Sequence, residues 1–255
     1  MYELTREEKK TFKTIQAIPY MEHTIRHIED FVSNHPSKNK ATAYKAAFDE
    51  IFRILYEAKP FVDQYLNQRK ENGTIKDEKQ ALKSIAGNSF SQAIVYIFIQ
   101  NKIIDNIRSD IYITSQKSKV PYFNEISTII VDGETQKPDC DLVIYSLNND
   151  KTLKKCMILS LKTSLRERAG QTYKWKLLME IATSNNAIKE KYNIFYKPHE
   201  MPLVCFATMN FYDEINNPQH KGMFKFFDKS FIAKNIDADF ISRMSELPDY
   251  INEIL

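Results

Sequence analysis

The sequence predicts an α/β protein in which a helical N-terminal subdomain precedes a mixed central sheet. Two observations lead to this fold class. Apolar side chains recur at helical spacing in the N-terminal part, as at Ala47 and Ile51. Farther along the chain, short β-branched or aromatic runs alternate with polar turns, which is typical of strands. Because Asn72-Gly73 is a turn signal between the two parts, we predict a helical subdomain over residues 1–75 and an α/β domain over residues 76–255.

Helices are predicted in both parts of the chain. Pro60 is one of the prolines that punctuate the N-terminal helices. Asn88 and Ser89 open a further helix, which is apolar on nearly all sides and is therefore expected to be buried. Two later segments, residues 171–184 and 222–232, also have helical character.

Strands are predicted where short apolar runs stand between turn residues. Asn148-Asn149-Asp150 separates two of these runs, so we expect the two to form a hairpin. The predicted strands are DIYITSQ (110–116), ISTIIV (126–131), DLVIYS (141–146), CMILSLK (156–162) and PLVCFATMNF (202–211).

Composition excludes several classes of protein. The chain has 255 residues and a net charge of +3, and its five glycines include no glycine-rich phosphate loop. Its three cysteines lie far apart, which indicates reduced thiols and neither a disulfide framework nor a zinc site. The charged N-terminus is no signal peptide, and the longest apolar run, Ala93–Ile99, is far shorter than the roughly 20 residues that span a bilayer. We therefore expect a cytoplasmic protein that does not act at a membrane.

Two carboxylates and a lysine are expected to meet on the predicted hairpin. Its first strand begins with Asp139 and Asp141, and its second strand ends with Ser160 and Lys162. Residues at i and i+2 of a strand share a face. If the turn centres near Asn149, the start of one strand lies beside the end of the other. Asp139 or Asp141 should then lie close to Lys162.

A carboxylate and a lysine on one sheet face suit metal-assisted hydrolysis of a phosphodiester. Carboxylate oxygens suit Mg²⁺, which activates water and offsets negative charge in the transition state. The lysine would position the water or help to deprotonate it. On the pattern alone, a hairpin with a solvent-facing salt bridge is the simpler interpretation, because Pro-Asp opens many strands and lysine ends many.

The quoted residues add a resemblance to this pattern. "KPDCDLVIYS" and "MILSLK" resemble the PD-(D/E)xK nuclease superfamily, with Ser160 at the usual acidic position. In one subgroup of restriction endonucleases, which cut CCGG, CCNGG and related sites, this acid is replaced by Ser or Cys. That subgroup carries Arg-(Asp/Glu)-Arg four residues after the lysine, as Arg166-Glu167-Arg168 follows Lys162 here. The stretch around them is most similar to the BsaWI-type branch, and the resemblance covers roughly residues 85–235.

The resemblance implies a Mg²⁺-dependent type II restriction endonuclease that cuts double-stranded DNA at a short palindrome containing CCGG. A palindrome requires a two-fold symmetric protein, so we expect a homodimer. A DNA methyltransferase would be a partner in the genetic sense only. Two alternatives stay open: a repair or structure-specific nuclease with the same core, and a DNA-binding module whose nuclease site is inactive.

The chain departs from the subgroup first in the acid that compensates for Ser160. There it lies on the following helix, 13 or 14 residues after the lysine, where this chain has Trp175 and Lys176. Glu180 lies one helical turn later, about 6 Å away. Either residues 169–172 are an insertion before the helix or Glu180 is not the ligand. We predict that Glu180 is the displaced acid.

The subgroup that the chain resembles also takes a glutamate, the early acid, from an earlier helix or strand. Glu125, ahead of a predicted strand, is the candidate, with Glu134 as its competitor and an exposed loop glutamate as the alternative. The predicted catalytic residues are Lys162, Asp139, Glu180 and Glu125, and the predicted metal ligands are Asp139, Asp141 and Glu180.

Arg166, Glu167 and Arg168 are predicted to contact DNA bases. Ser164 and Glu167 also match a capping box, so a structural role in starting a helix is the alternative. The helix dipole disfavours arginines near a helix N-terminus. Their presence there is easier to understand if a polyanion binds at that end. Arginine suits guanine and glutamate suits cytosine. Together with the spacing from Lys162, this favours a role in recognition.

Overall fold

The computed structural model describes residues 2–165, 169–197, 201–211 and 213–255. Packing divides the chain into two compact units. One comprises Met1–Ser109, Ile232–Asp237 and Arg243–Ile254, and the other comprises Asp110–Phe231, Ala238–Ser242 and Leu255. The first unit thus extends well past residue 75, where the sequence suggests a boundary. Which residues the catalytic domain requires stays a prediction.

The N-terminal region is helical, as predicted. Helix α4 continues through Pro60, which lies on its exposed side where water can bind the carbonyl group that the proline leaves unpaired. The helices are α1 (Arg6–Gln16), α2 (Glu22–Asn34), α3 (Lys40–Ala46), α4 (Ile51–Glu71), α5 (Glu78–Ile103), α6 (Phe123–Ile126), α7 (Ala169–Thr183), α8 (Ala187–Lys191), α9 (Pro218–Phe224) and α10 (Leu247–Ile254).

Helix α5 is buried along much of its length, as its apolar sequence predicts, but it begins earlier than expected. Asp77 is its N-cap and accepts a hydrogen bond from the Gln80 backbone N–H. Asn88 and Ser89 therefore lie inside the helix and do not open it. Lys102, near its end, is fully buried and forms an ion pair of 2.6 Å with Glu8 of α1.

Each of the five predicted runs contains a strand, although the ends differ, and four further short strands were not predicted. The prediction of a helix over residues 222–232 was wrong in its second half, because Asp228 pairs with the backbone of Val204 and the chain after it forms a strand. The strands are β1 (Ile111–Thr114), β2 (Ile129–Val131), β3 (Glu134–Gln136), β4 (Leu142–Leu147), β5 (Leu153–Lys162), β6 (Ile194–Phe195), β7 (Leu203–Thr208), β8 (Lys229–Ile232) and β9 (Ser242–Arg243).

The main sheet is mixed, with the strand order β1-β4-β5-β7-β8-β9. β4 and β5 form the predicted antiparallel hairpin, while β5 and β7 are parallel and are joined by a connection that contains α7. Met157, Ile158 and Leu159 of the central strand β5 are fully buried, as expected for a strand that is covered on both faces. A helical region followed by a mixed central sheet confirms the predicted α/β class.

Two further features bear on the sequence-based expectations. Cys140, Cys156 and Cys205 are all buried, and no disulfide bond joins two of them. Among the helices in the described ranges, none combines the length and the apolar character that crossing a membrane requires.

Candidate active site

The β4–β5 hairpin brings two carboxylates to one lysine. Leu142 pairs with Leu159, and continuing this register places Asp141 opposite Ser160 and Asp139 opposite Lys162. The Lys162 Nζ donates to Asp139 Oδ2 at 2.8 Å and to Asp141 Oδ2 at 3.1 Å. Asp139 and Asp141 precede Lys162 by 23 and 21 positions in the sequence, and the three residues form one cluster.

The lysine of this cluster is buried, whereas the carboxylates reach the surface. The Lys162 side chain is 8% exposed, compared with 47% for Asp139 and 33% for Asp141. A buried ammonium group requires charged partners, because burial without them costs several kcal/mol. The two aspartates supply these partners and also present carboxylate oxygens to a ligand from solvent.

The two aspartates differ in what else they contact. Asp141 Oδ2 also accepts a hydrogen bond of 2.7 Å from the Leu161 backbone N–H, and so replaces a main-chain acceptor where β4 begins. Lys162 is the one hydrogen-bonding partner of the Asp139 side chain within the described residues. Asp141 thus holds the end of β5 in place, while Asp139 is the more accessible carboxylate.

Cys140 lies between these aspartates but does not contribute a reactive thiolate. The pKa of its thiol is raised to about 12, mainly by burial; Lys117 and Lys162 lower this pKa, while the Asp141 and Asp139 carboxylates raise it. Its thiol is therefore protonated at neutral pH. Thiolates, and not thiols, act as nucleophiles and metal ligands.

Helix α7 packs on β5 through Ser160, which stands where the PD-(D/E)xK pattern usually has an acid. The Ser160 and Thr172 hydroxyl oxygens are 3.0 Å apart, and both side chains are fully buried. This pair satisfies two polar groups that would otherwise be costly to bury. The sequence indicated no role for Thr172, since a threonine inside a helix carries no signal of its partner.

Lys176 occupies one of the two positions on α7 at which the subgroup that the chain resembles has an acid. Its buried Nζ lies 2.9 Å from each carboxylate oxygen of Asp228. Asp228 Oδ2 also accepts from the Val204 backbone N–H at 2.7 Å, and Val204 pairs with Ile158 of β5. Lys176 is therefore held at the level of Ile158, four residues before Lys162 on that strand.

Glu180 lies one helical turn beyond Lys176. Its half-exposed carboxylate is 3.5 Å from the Lys176 ammonium. The structure does not bring Glu180 to Lys162, because successive turns of α7 lead away from the end of β5. Its role as the displaced acid stays a prediction.

Glu125 and Glu134 are both exposed near the start of the hairpin. Glu125 lies in α6, and its neighbour Asn124 accepts a hydrogen bond of 3.3 Å from Lys137 Nζ. Lys137 is two residues before Asp139, so α6 adjoins the segment that enters the site. Glu134 lies in β3, opposite Val131. In the part of the chain that the structure describes, neither carboxylate contacts the lysine cluster.

The cluster fits a hydrated Mg²⁺ ion. Within the described ranges, no three His, Cys, Asp or Glu side chains converge as a metal site. Mg²⁺ commonly keeps several waters and is bound through one or two carboxylates together with substrate phosphates. Asp139 and Asp141 supply that number of carboxylates, with oxygens accessible from solvent.

Arg166, Glu167 and Arg168, the predicted base-contacting residues, lie outside the described residues. Leu165, just before them, is not helical, and its backbone N–H donates to Glu214 Oε2 at 2.8 Å. Glu167 of the alternative capping box is one of these three residues, so that alternative also lies outside the described residues. Sequence analysis missed Glu214, because a contact over 49 positions leaves no local pattern.

Comparison with known proteins identifies the family of the chain. The family model of the BsaWI restriction endonuclease, type 2, matches residues 115–250, which is more than half of the chain. The match includes each of the predicted catalytic, metal-binding and base-contacting residues. No curated protein matches the chain. Because this family model covers more than half of the chain, the chain belongs to the BsaWI family of type II restriction endonucleases.

Proposed function

We propose that the chain is a Mg²⁺-dependent endonuclease that hydrolyses duplex DNA at a short palindrome containing CCGG. The supporting observation is the Lys162 ammonium group, which two carboxylates bind at the end of β5. A family of DNA-cleaving enzymes and a carboxylate–lysine cluster of this kind favour hydrolysis over DNA binding alone.

The site residues have separate tasks in this proposal. Asp139 and Asp141 would hold the metal ion, which when bound acidifies water and stabilises charge on the phosphate. Lys162 has one of two tasks: as an ammonium group it orients the attacking water and offsets the charge that develops on the phosphate oxygens, or, after it has lost a proton, its neutral amine accepts the proton of the water. Water adds to phosphorus and one P–O ester bond breaks, which leaves a phosphate monoester and a hydroxyl group on the two DNA ends.

The assembly and setting follow from the substrate. Two antiparallel strands of a palindrome present the same sequence, so cutting both calls for a homodimer with one site per strand. Such an enzyme would act in the bacterial cytoplasm, where its thiols stay reduced, and a cognate DNA methyltransferase would protect the host DNA as its genetic partner.

Digestion of plasmid DNA with Mg²⁺ tests this proposal directly. We expect discrete fragments whose sequenced ends share one palindrome that contains CCGG. Nicking without sequence preference would favour a repair or structure-specific nuclease. A mobility shift without cleavage would identify a DNA-binding module with an inactive site.

Arg166, Glu167 and Arg168 are proposed to read the bases. Each substitution to alanine should weaken binding to the cognate duplex by about 1–3 kcal/mol for each bidentate contact with a base that it removes. Binding to unrelated DNA should change much less for Glu167→Ala, since phosphate contacts dominate there. Competition between cognate and scrambled duplexes measures the difference.

Glu167→Ala is the most informative of the three substitutions. If only electrostatics mattered, removal of an acid near DNA would strengthen binding. If the residue only started a helix, the variant would lose about 1 kcal/mol of stability and keep its specificity. A melting curve together with the competition experiment separates these outcomes, and a destabilised variant that still discriminates its site would refute the proposed role in base recognition.

Glu180 is proposed as the displaced acid and Glu125 as the early acid. If Glu180 contributes to metal binding, Glu180→Gln should require more Mg²⁺ and cleave more slowly. Initial cleavage rates over a Mg²⁺ titration measure this change. Wild-type behaviour of Glu180→Gln beside an inactive Glu125→Gln would show that the helix supplies no acid and that the site uses fewer carboxylates.

A further inference from the structure

Lys117 follows β1, the strand that pairs with β4 on the side opposite β5. β4 lies between β5 and β1, and Thr114 at the end of β1 pairs with Val143. From Thr114 the chain continues toward the start of β4, where Asp141 lies two residues before Val143. Lys117 follows Thr114 by three residues, a span of at most about 10 Å. Lys162 thus lies at the end of one neighbour of β4, and Lys117 follows the adjacent end of the other neighbour.

Lys137 is a second cation, and it lies in the segment that leads into β4. It precedes Asp139 by two residues, is exposed, and donates to Asn124 Oδ1 of α6 at 3.3 Å. Its partner is a neutral amide, so the charge of Lys137 is not neutralised by this contact. Lys117 is also exposed, and no ion pair to it is found among the described residues.

We propose that Lys117 and Lys137 bind the DNA phosphates that flank the scissile phosphate, an inference that rests on the proposed nuclease function. The geometry separates three lysines into two roles. Lys162 is buried and held by both aspartates, which suits the reaction. Lys117 and Lys137 are exposed and able to move toward a polyanion.

The charges of the site explain why such contacts are needed. Asp139 and Asp141 present exposed carboxylates, which repel a phosphate backbone, so cations beside them favour the approach of DNA. Phosphates follow one another every 3.4 Å along the axis for each strand. A DNA strand whose scissile phosphate lies at Asp139 therefore places further phosphates on both sides of the carboxylate pair. Lysine suits this task, since it contacts phosphate as a point charge without demanding one geometry.

Salt dependence of binding tests this inference without cleavage. Affinity for a short scrambled duplex is measured in EDTA over a series of salt concentrations, for wild type and for Lys117→Ala/Lys137→Ala. We expect the slope of log affinity against log salt to become shallower by about 0.9 for each phosphate that is no longer neutralised. For two such phosphates, the drop in affinity between about 50 and 200 mM salt should then be about 10-fold smaller than in wild type.

The matched control removes two lysines at the other end of the same hairpin. Lys154 and Lys155 are exposed at the beginning of β5, so Lys154→Ala/Lys155→Ala changes the net charge equally. A control slope equal to wild type, beside a shallower slope for the Lys117/Lys137 variant, supports the inference. Equal slopes in both double variants overturn it, while wild-type cleavage of plasmid DNA shows that the nuclease function still holds. A wild-type chain that neither binds nor cuts DNA refutes the nuclease function itself.

Discussion

Lys162→Ala is expected to abolish DNA cleavage while binding to the cognate duplex is largely retained. The ammonium group lies 2.8 Å and 3.1 Å from the two carboxylates and is the cation at the centre of the site. Without it, the water loses the group that orients it, and two neighbouring carboxylates repel each other. General acid–base groups typically contribute 10²- to 10⁴-fold, so single-turnover cleavage should fall by at least about 100-fold. Electrophoretic mobility shift of the same variant measures binding.

Lys162→Arg is the matched variant for this experiment. Arginine keeps the positive charge but does not give up a proton in proteins. A variant that binds DNA, melts like wild type and does not cleave would assign a proton-handling role to the lysine. Recovery of cleavage by arginine would indicate that charge alone is needed. Full cleavage by Lys162→Ala would refute the assignment of the active site.

Asp139→Ala is expected to lose both metal binding and cleavage, whereas Asp141→Ala should have a milder effect. Asp139 is about half exposed, with Lys162 as its hydrogen-bonding partner, so its carboxylate is available to a metal ion. Asp141 is engaged by the Leu161 backbone N–H as well as by Lys162, and its removal should mainly loosen the end of β5. Calorimetric titration with Mg²⁺ and cleavage rates together distinguish the two variants.

Asp139→Asn and Asp141→Asn control for changes in volume and packing. An asparagine can still accept the Leu161 hydrogen bond, so Asp141→Asn should retain more activity than Asp141→Ala. Asp139→Asn removes the charge that Mg²⁺ prefers and should resemble Asp139→Ala. If the Asp141 variants lose metal binding while the Asp139 variants keep it, the roles of the two aspartates are reversed.

Much of the fold was predictable from local patterns. The run from Met157 to Leu159 is apolar because β5 is buried on both faces, and the polar turn before it indicates a hairpin. The start of α5 was predicted too late, since Asn88 and Ser89 resemble a cap although Asp77 caps the helix. Residues 229–232 were predicted as helix, because their apolar spacing suits either structure and pairing in the sheet decides between them.

The sequence by itself determined which residue types the site contains and their order: two aspartates at the start of the first hairpin strand, a lysine at the end of the second, and an arginine–glutamate–arginine run after it. Only the tertiary structure decided which side chains meet. Thr172 contacts Ser160, and Lys176 binds Asp228, so the packing of α7 determines which of its turns lies near the lysine. The physical reason is that residue spacing specifies a face within one element, whereas contacts between elements depend on the packing of side chains that are distant in sequence.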